Sequence, residues 1–226
     1  MKKLLVGNWK MNLNAADAVA LSKAIQPSLD YDIVICPSLL HLSIVQSLIN
    51  TSGIKLGAQN VSRETFGSFT GDVCAEQLKD IGCEYVIIGH SERRVKAEES
   101  NVEIHTKLQR ALEVGLKPIL CVGESLEEYK SELTNEILAR QLLNVEYNDS
   151  LIIAYEPVWA IGTGLVPTNR EIENSITTIK SIVNSPVLYG GSVSAKNSSQ
   201  LDEISCCDGF LVGGASLKAD EFNKIY

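Results

Sequence analysis

The 226-residue chain carries a formal net charge of -8, which excludes a general affinity for nucleic acid or anionic membranes. Its 45% hydrophobic and 21% charged residues exclude a disordered or low-complexity chain, and the length suits one α/β barrel domain spanning residues 1–226. No apolar run is long enough for a signal peptide or a membrane span, which predicts a cytoplasmic protein.

The first apolar run, Lys3 to Gly7, ends in Asn8-Trp9-Lys10. A solvated lysine beside a turn asparagine is the common outcome for such residues. Residues two apart in an extended segment share a face, however, so Asn8 and Lys10 can point into one mouth. A helical segment follows from Asn14, with Ala15, Ala18, Val19 and Ser22 on one face. Further strands are predicted at Asp32–Cys36, Lys55–Ala58, Tyr85–Gly89, Lys117–Val122, Leu151–Tyr155, Pro186–Tyr189 and Gly209–Val212.

Between the strands lie helical periodicities. Three of them begin with a capping-box pattern, Ser100-x-x-Glu103, Ser125-x-x-Glu128 and Thr168-x-x-Glu171. Ile104, Leu108 and Leu112 follow the first at helical spacing, and Ile172, Ile176, Ile179 and Val183 follow the third. Alternating strands and amphipathic helices require parallel strands with crossovers. An open doubly wound sheet would carry a glycine fingerprint after its first strand, and Gly7-Asn8-Trp9-Lys10 is not one. The prediction is a closed (β/α)₈ TIM barrel, whose chemistry gathers at the C-terminal ends of its strands.

After the third strand a glycine-rich connection carries Phe66, Phe69 and Thr70. Two aromatic rings in such a loop predict a subunit contact, the alternative being a loop folded back on its own barrel. The fourth strand runs into His90-Ser91-Glu92-Arg93-Arg94. A histidine between a strand end and a helix start lies near N–H groups that favour its neutral form. Glu92 can supply Lys10 with a counter-charge, while Arg93 and Arg94 are expected in structural or subunit salt bridges.

Cys121 lies inside an apolar run with no basic residue beside it in sequence, so it reads as packing. The six cysteines, with no CxxC pair, are expected as free thiols without a metal. The sixth strand delivers Glu156 just before Pro157, with Gly162 and Gly164 further on. Shielding by the apolar run would make Glu156 a better base, and the segment after it reads as a lid. Gly190-Gly191-Ser192 and Gly213-Gly214 follow the last two strands, where barrels of this kind build phosphate sites from backbone N–H groups.

The whole chain resembles the triosephosphate isomerase family. The resemblance rests on Gly7-Asn8-Trp9-Lys10-Met11-Asn12, Gly57-Ala58-Gln59-Asn60, Phe69-Thr70-Gly71, Gly89-His90-Ser91-Glu92-Arg93-Arg94, Tyr155-Glu156-Pro157-Val158-Trp159-Ala160-Ile161-Gly162-Thr163-Gly164 and Tyr189-Gly190-Gly191-Ser192-Val193. It implies interconversion of dihydroxyacetone phosphate and glyceraldehyde 3-phosphate, in glycolysis and gluconeogenesis, without metal or cofactor.

By the resemblance Glu156 is the base, His90 a neutral donor to the carbonyl, and Lys10 and Asn8 hold substrate and enediolate oxygens, with Glu92 ordering the lysine. Backbone groups of Gly162, Ser192, Gly213 and Gly214 would bind phosphate. A homodimer is implied, with Phe69 and Thr70 at the interface.

Two departures stand out. Leu165-Val166-Pro167 replaces the usual far end of the family lid, where the N–H at the position of Pro167 donates to the tyrosine matching Tyr189 on closure; proline has no N–H. The chain is also shorter than usual, mainly between Cys121 and Glu156 and between Glu156 and Ser192. Two other functions remain open from residues alone: a Schiff-base aldolase using Lys10, and a non-catalytic barrel acting as a binding or scaffold protein.

Overall fold

The computed structural model describes residues 2–161 and 165–226. Its strands are β1 (Lys3–Asn8), β2 (Tyr31–Cys36), β3 (Lys55–Ala58), β4 (Tyr85–Ile88), β5 (Lys117–Val122), β6 (Ile152–Tyr155), β7 (Val187–Tyr189) and β8 (Gly209–Val212). Each crossover carries at least one helix, and the strands pair in sequence order into a closed parallel barrel. The predicted (β/α)₈ class is therefore the observed one.

Closure depends on the seam between β1 and β8, where Leu4 pairs with Gly209 and Val6 with Leu211. Gly209 has φ +141°, and a Cβ there would lie 1.9 Å from the Leu4 carbonyl oxygen. Only glycine lets the two strands meet at that point.

Alternation along the strands divides the apolar residues between two cores. Val6, Val34, Ile87, Ile119, Leu188 and Leu211 fill the barrel, whereas Leu5, Ile33, Val86, Leu120, Ile153 and Phe210 face the helices. Burying each such side chain contributes about 1.5–3 kcal/mol, which is the main force holding the helices on the barrel. Cys36 and Cys121 belong to the inner core. Burial, and then the charge of Glu156, push the Cys121 thiol well up, which suits packing and not nucleophilic chemistry.

The helices follow their sequence signals with instructive exceptions. Ser125 and Thr168 form full capping boxes with Glu128 and Glu171. Ser100 accepts the Glu103 N–H, but the Glu103 carboxylate lies 4.0 Å from Arg63 and makes no reciprocal cap bond. In the helix Ala15–Ala24, Ala15 is exposed and Leu21 is buried with Ala18 and Ser22, so the buried face is rotated from the predicted one. Ile172, Ile176, Ile179 and Val183 are all buried.

Arg93 pairs with the buried Glu99, which also takes Lys107 Nζ at 2.5 Å. Arg94, expected in a salt bridge, instead donates to the carbonyls of Gly89 and Cys121 at 2.8 and 2.9 Å and to the Asn101 side chain at 2.7 Å. It staples the ends of β4 and β5. After β3, Phe66 and Phe69 stay exposed, at 69% and 48%, while the start of that connection is tied down by Arg110, which donates to the Arg63 carbonyl at 3.2 Å.

Candidate active site

Gly89, with φ +67°, turns the chain after β4 so that His90 becomes the N-cap of the helix Ser91–Lys96. His90 Nδ1 accepts the Glu92 backbone N–H at 3.2 Å. In the neutral ring the proton then sits on Nε2, which lies 3.1 Å from Glu156 Oε1. The other carboxylate oxygen of Glu156 accepts the Ser91 N–H at 3.0 Å.

Glu156 is only 2% exposed, and the Ser91 N–H at the β4 end bonds its carboxylate there with the His90 ring beside it. Gly190 supplies the space, since a Cβ on it would lie 2.9 Å from Glu156 Cγ.

Lys10 reaches the same mouth from β1. The strand ends at Asn8, and Lys10 has φ +51°, so the two side chains converge through a left-handed bend and not through extended spacing. A non-glycine residue in that conformation costs ~1–3 kcal/mol and needs outside support. Asn8 Oδ1 accepts the Lys10 N–H at 3.0 Å, and Gln59 Nε2 donates to the Lys10 carbonyl at 2.8 Å.

Lys10 Nζ donates to Glu92 Oε1 at 2.8 Å. Partial burial raises the Glu92 carboxyl, but the Lys10 hydrogen bond and charge, aided by His90 and Lys96, hold it below the ordinary carboxylate value.

Asn8, Lys10, His90, Glu156, Ser192, Gly213 and Gly214 all line one cavity of about 250 Å³. Glu92 lines an adjoining cavity of about 460 Å³ that shares Asn8, Lys10 and His90. Gly162, with Thr163 and Gly164, lies outside the described residues. Phe69 and Thr70 are exposed on the loop after β3, and neither lines the smaller cavity.

Sequence reasoning missed Gln59, Ser91 and Gly190 as supports of Lys10 and Glu156. Each lies inside one of the strand-end motifs, which is the only local signal they give.

A family model described as Triosephosphate isomerase matches residues 3–226. The chain belongs to the triosephosphate isomerase family. A triosephosphate isomerase from Magnetococcus marinus is 39% identical, covering 99% of this chain and 97% of that protein. Those from Alkaliphilus oremlandii and Prosthecochloris aestuarii are 40% and 42% identical, with 99% of this chain and 98% and 96% of theirs covered.

In this member of the triosephosphate isomerase family, the segment after Glu156 is anchored from β5 and β6. Trp159 Nε1 donates to Glu124 Oε1 at 2.9 Å, and the Tyr155 hydroxyl lies 3.2 Å from the same oxygen. Glu124 is fully buried. Desolvation raises its carboxyl above the ordinary value even though these donors oppose the shift. Pro167 is buried, and among the described residues the Tyr189 hydroxyl is buried without a hydrogen-bond partner.

Proposed function

We propose that the chain interconverts dihydroxyacetone phosphate and D-glyceraldehyde 3-phosphate, as a homodimer of the cytoplasm serving glycolysis and gluconeogenesis. The observation that carries this is the convergence of Glu156, His90 and Lys10 on one cavity bordered by the backbone of Ser192, Gly213 and Gly214. A carboxylate base, a neutral N–H donor and a cation suit proton transfer next to a carbonyl. A glutamate base working with a neutral histidine is the known arrangement of triosephosphate isomerases.

Glu156 takes the proton from the carbon that carries the hydroxyl, and the electron pair moves to the carbonyl oxygen. His90 Nε2–H and the Lys10 ammonium stabilise the enediolate so formed, and Asn8 holds a substrate oxygen. A proton passes between the two oxygens, after which Glu156 returns its proton to the former carbonyl carbon. Substrate must first part His90 Nε2 from Glu156 Oε1, which lie 3.1 Å apart. A carbonyl oxygen can replace the carboxylate on Nε2–H and so free the base.

Phosphate is held by backbone N–H groups of Ser192, Gly213, Gly214 and Gly162. Such groups suit an anion in a chain of net charge -8, because they add no side-chain charge. Closure of the segment after Glu156 excludes water and strengthens these interactions.

The homodimer is supported by the exposed Phe66 and Phe69, with Thr70 beside them. Among the described residues no helix is long and apolar enough to cross a membrane. A coupled assay with glyceraldehyde 3-phosphate tests the activity, and sedimentation at twice the chain mass tests the dimer; absence of turnover would leave the scaffold alternative. An aldolase is disfavoured because Lys10 Nζ is held in an ion pair with Glu92 at 2.8 Å. Borohydride trapping of substrate on Lys10 would reverse that judgement.

Pro167 alters the lid's far end. With no N–H there, Tyr189 lacks the backbone donor that the family uses on closure. Pro167→Ala restores one, so lid opening should slow by roughly 2- to 10-fold, the worth of one net hydrogen bond. Relaxation measurements with an unchanged opening rate would count against an altered latch.

A further inference from the structure

The two ends of the lid segment are joined by a side-chain path outside the barrel. Trp159, at its start, stacks on Tyr129 with ring centroids 4.4 Å apart and an interplanar angle of 29°. The Tyr129 hydroxyl donates to Glu171 Oε1 at 2.6 Å. Glu171 Oε2 in turn accepts both the N–H and the hydroxyl of Thr168 at 2.7 Å. Thr168 is the N-cap of the helix Asn169–Ile182 and directly follows Pro167. One tyrosine therefore touches the structure at both hinges, through its ring on one side and its hydroxyl on the other.

We propose that Tyr129 is a positioning residue that braces the two hinges in the arrangement with Trp159 stacked on it and couples their movement. This rests on the reading above, that the segment between Trp159 and Thr168 closes over the substrate. Displacing the Trp159 ring on closure loads the stack and the bond to Glu171 together, because both end on the same side chain. Room for that displacement is present: Tyr129, Trp159, Pro167 and Glu171 all border a cleft of about 440 Å³.

Electrostatics agree with the geometry. The Tyr129 hydroxyl is the largest influence holding the Glu171 carboxyl below its ordinary value, followed by the Thr168 bonds, while the Glu171 bond lifts the phenol. The contact is a charge-assisted hydrogen bond on a capping residue that already has its own anchor.

The brace stabilises the arrangement with Trp159 stacked on Tyr129 and is released on closure, so removing it shifts the population toward the closed form. Tyr129→Phe keeps the ring stack and deletes the bond to Glu171. It should lower KM for dihydroxyacetone phosphate by roughly 2- to 10-fold, without raising kcat, because release of product requires reopening. Glu171→Gln keeps the capping box but weakens the acceptor, and should give a smaller shift of the same sign. In the double variant the two effects should fail to add.

A merely structural tyrosine would lower Tm in both variants and leave KM unmoved, and that result, or a raised KM in Tyr129→Phe, would overturn the proposal. Full wild-type turnover with an insensitive KM would remove the brace alone, whereas absence of wild-type turnover would remove the function on which it rests.

Discussion

Replacing Glu156 by glutamine is expected to lower kcat by about 10²–10⁴-fold, the contribution of a positioned general base. The amide fills nearly the same space beside Gly190, so the cavity and the substrate contacts should persist and KM should change little. One oxygen of the amide can still accept from either Ser91 or His90, but its NH₂ meets the other donor, since His90 Nδ1 is committed to the Glu92 N–H.

That local conflict is opposed by removal of a buried charge, so thermal unfolding should show a shift of only ~2–4 °C. Glu156→Asp separates position from chemistry. The carboxylate remains but retreats by one methylene, and a displacement of about 1 Å can cost ~10²-fold. Steady-state assays of both variants check the role, and native turnover in either would remove Glu156 from it.

Lys10→Met is expected to lower kcat/KM by about 10²–10³-fold, the usual loss when one donor to a developing oxyanion is removed. The loss should appear mainly in kcat if the ammonium acts on the enediolate, and mainly in KM if it only attracts the anionic substrate. A second readout follows from Glu92. Its folded carboxyl lies below the ordinary value, so its contribution to stability is present above the unfolded value of about 4.3 and is lost as pH falls through the folded one.

Without Lys10 that depression should shrink, and stability should depend less on pH across the same acid window. The effect is modest because the Glu92 side chain is 42% exposed and screened by solvent. Acid-titrated unfolding of wild type and Lys10→Met compares the two slopes directly.

The parts of the site that were legible in the sequence are those whose signal is local. His90 and Glu156 stand at strand ends, and glycine pairs follow β7 and β8, so a barrel prediction alone directs attention to them. The roles of neighbours were not legible in the same way. Gln59 reads as one more polar residue after a strand, and nothing nearby reveals that it donates to both Lys10 and Cys36 carbonyls, at 2.8 and 2.9 Å. Arg94 reads as a salt-bridge former because charge is visible in sequence, while the carbonyls it actually meets are invisible there.

By itself, the sequence determined the order of strands and helices, the buried face Ile172-Ile176-Ile179-Val183, two of three capping boxes and the family, because periodicity, caps and motifs are short-range patterns. Tertiary structure alone decided how the chemistry is held. Lys10 meets Glu92 82 residues away, and Ser91 holds Glu156 across 65. The second closes because β4 and β6 both flank β5, and the first spans the mouth of a barrel whose last seam Gly209 admits. The left-handed bend at Lys10 is likewise sustained by Asn8 and by Gln59, which follows β3 on the far side of β2, so its conformation could not be read from extended spacing.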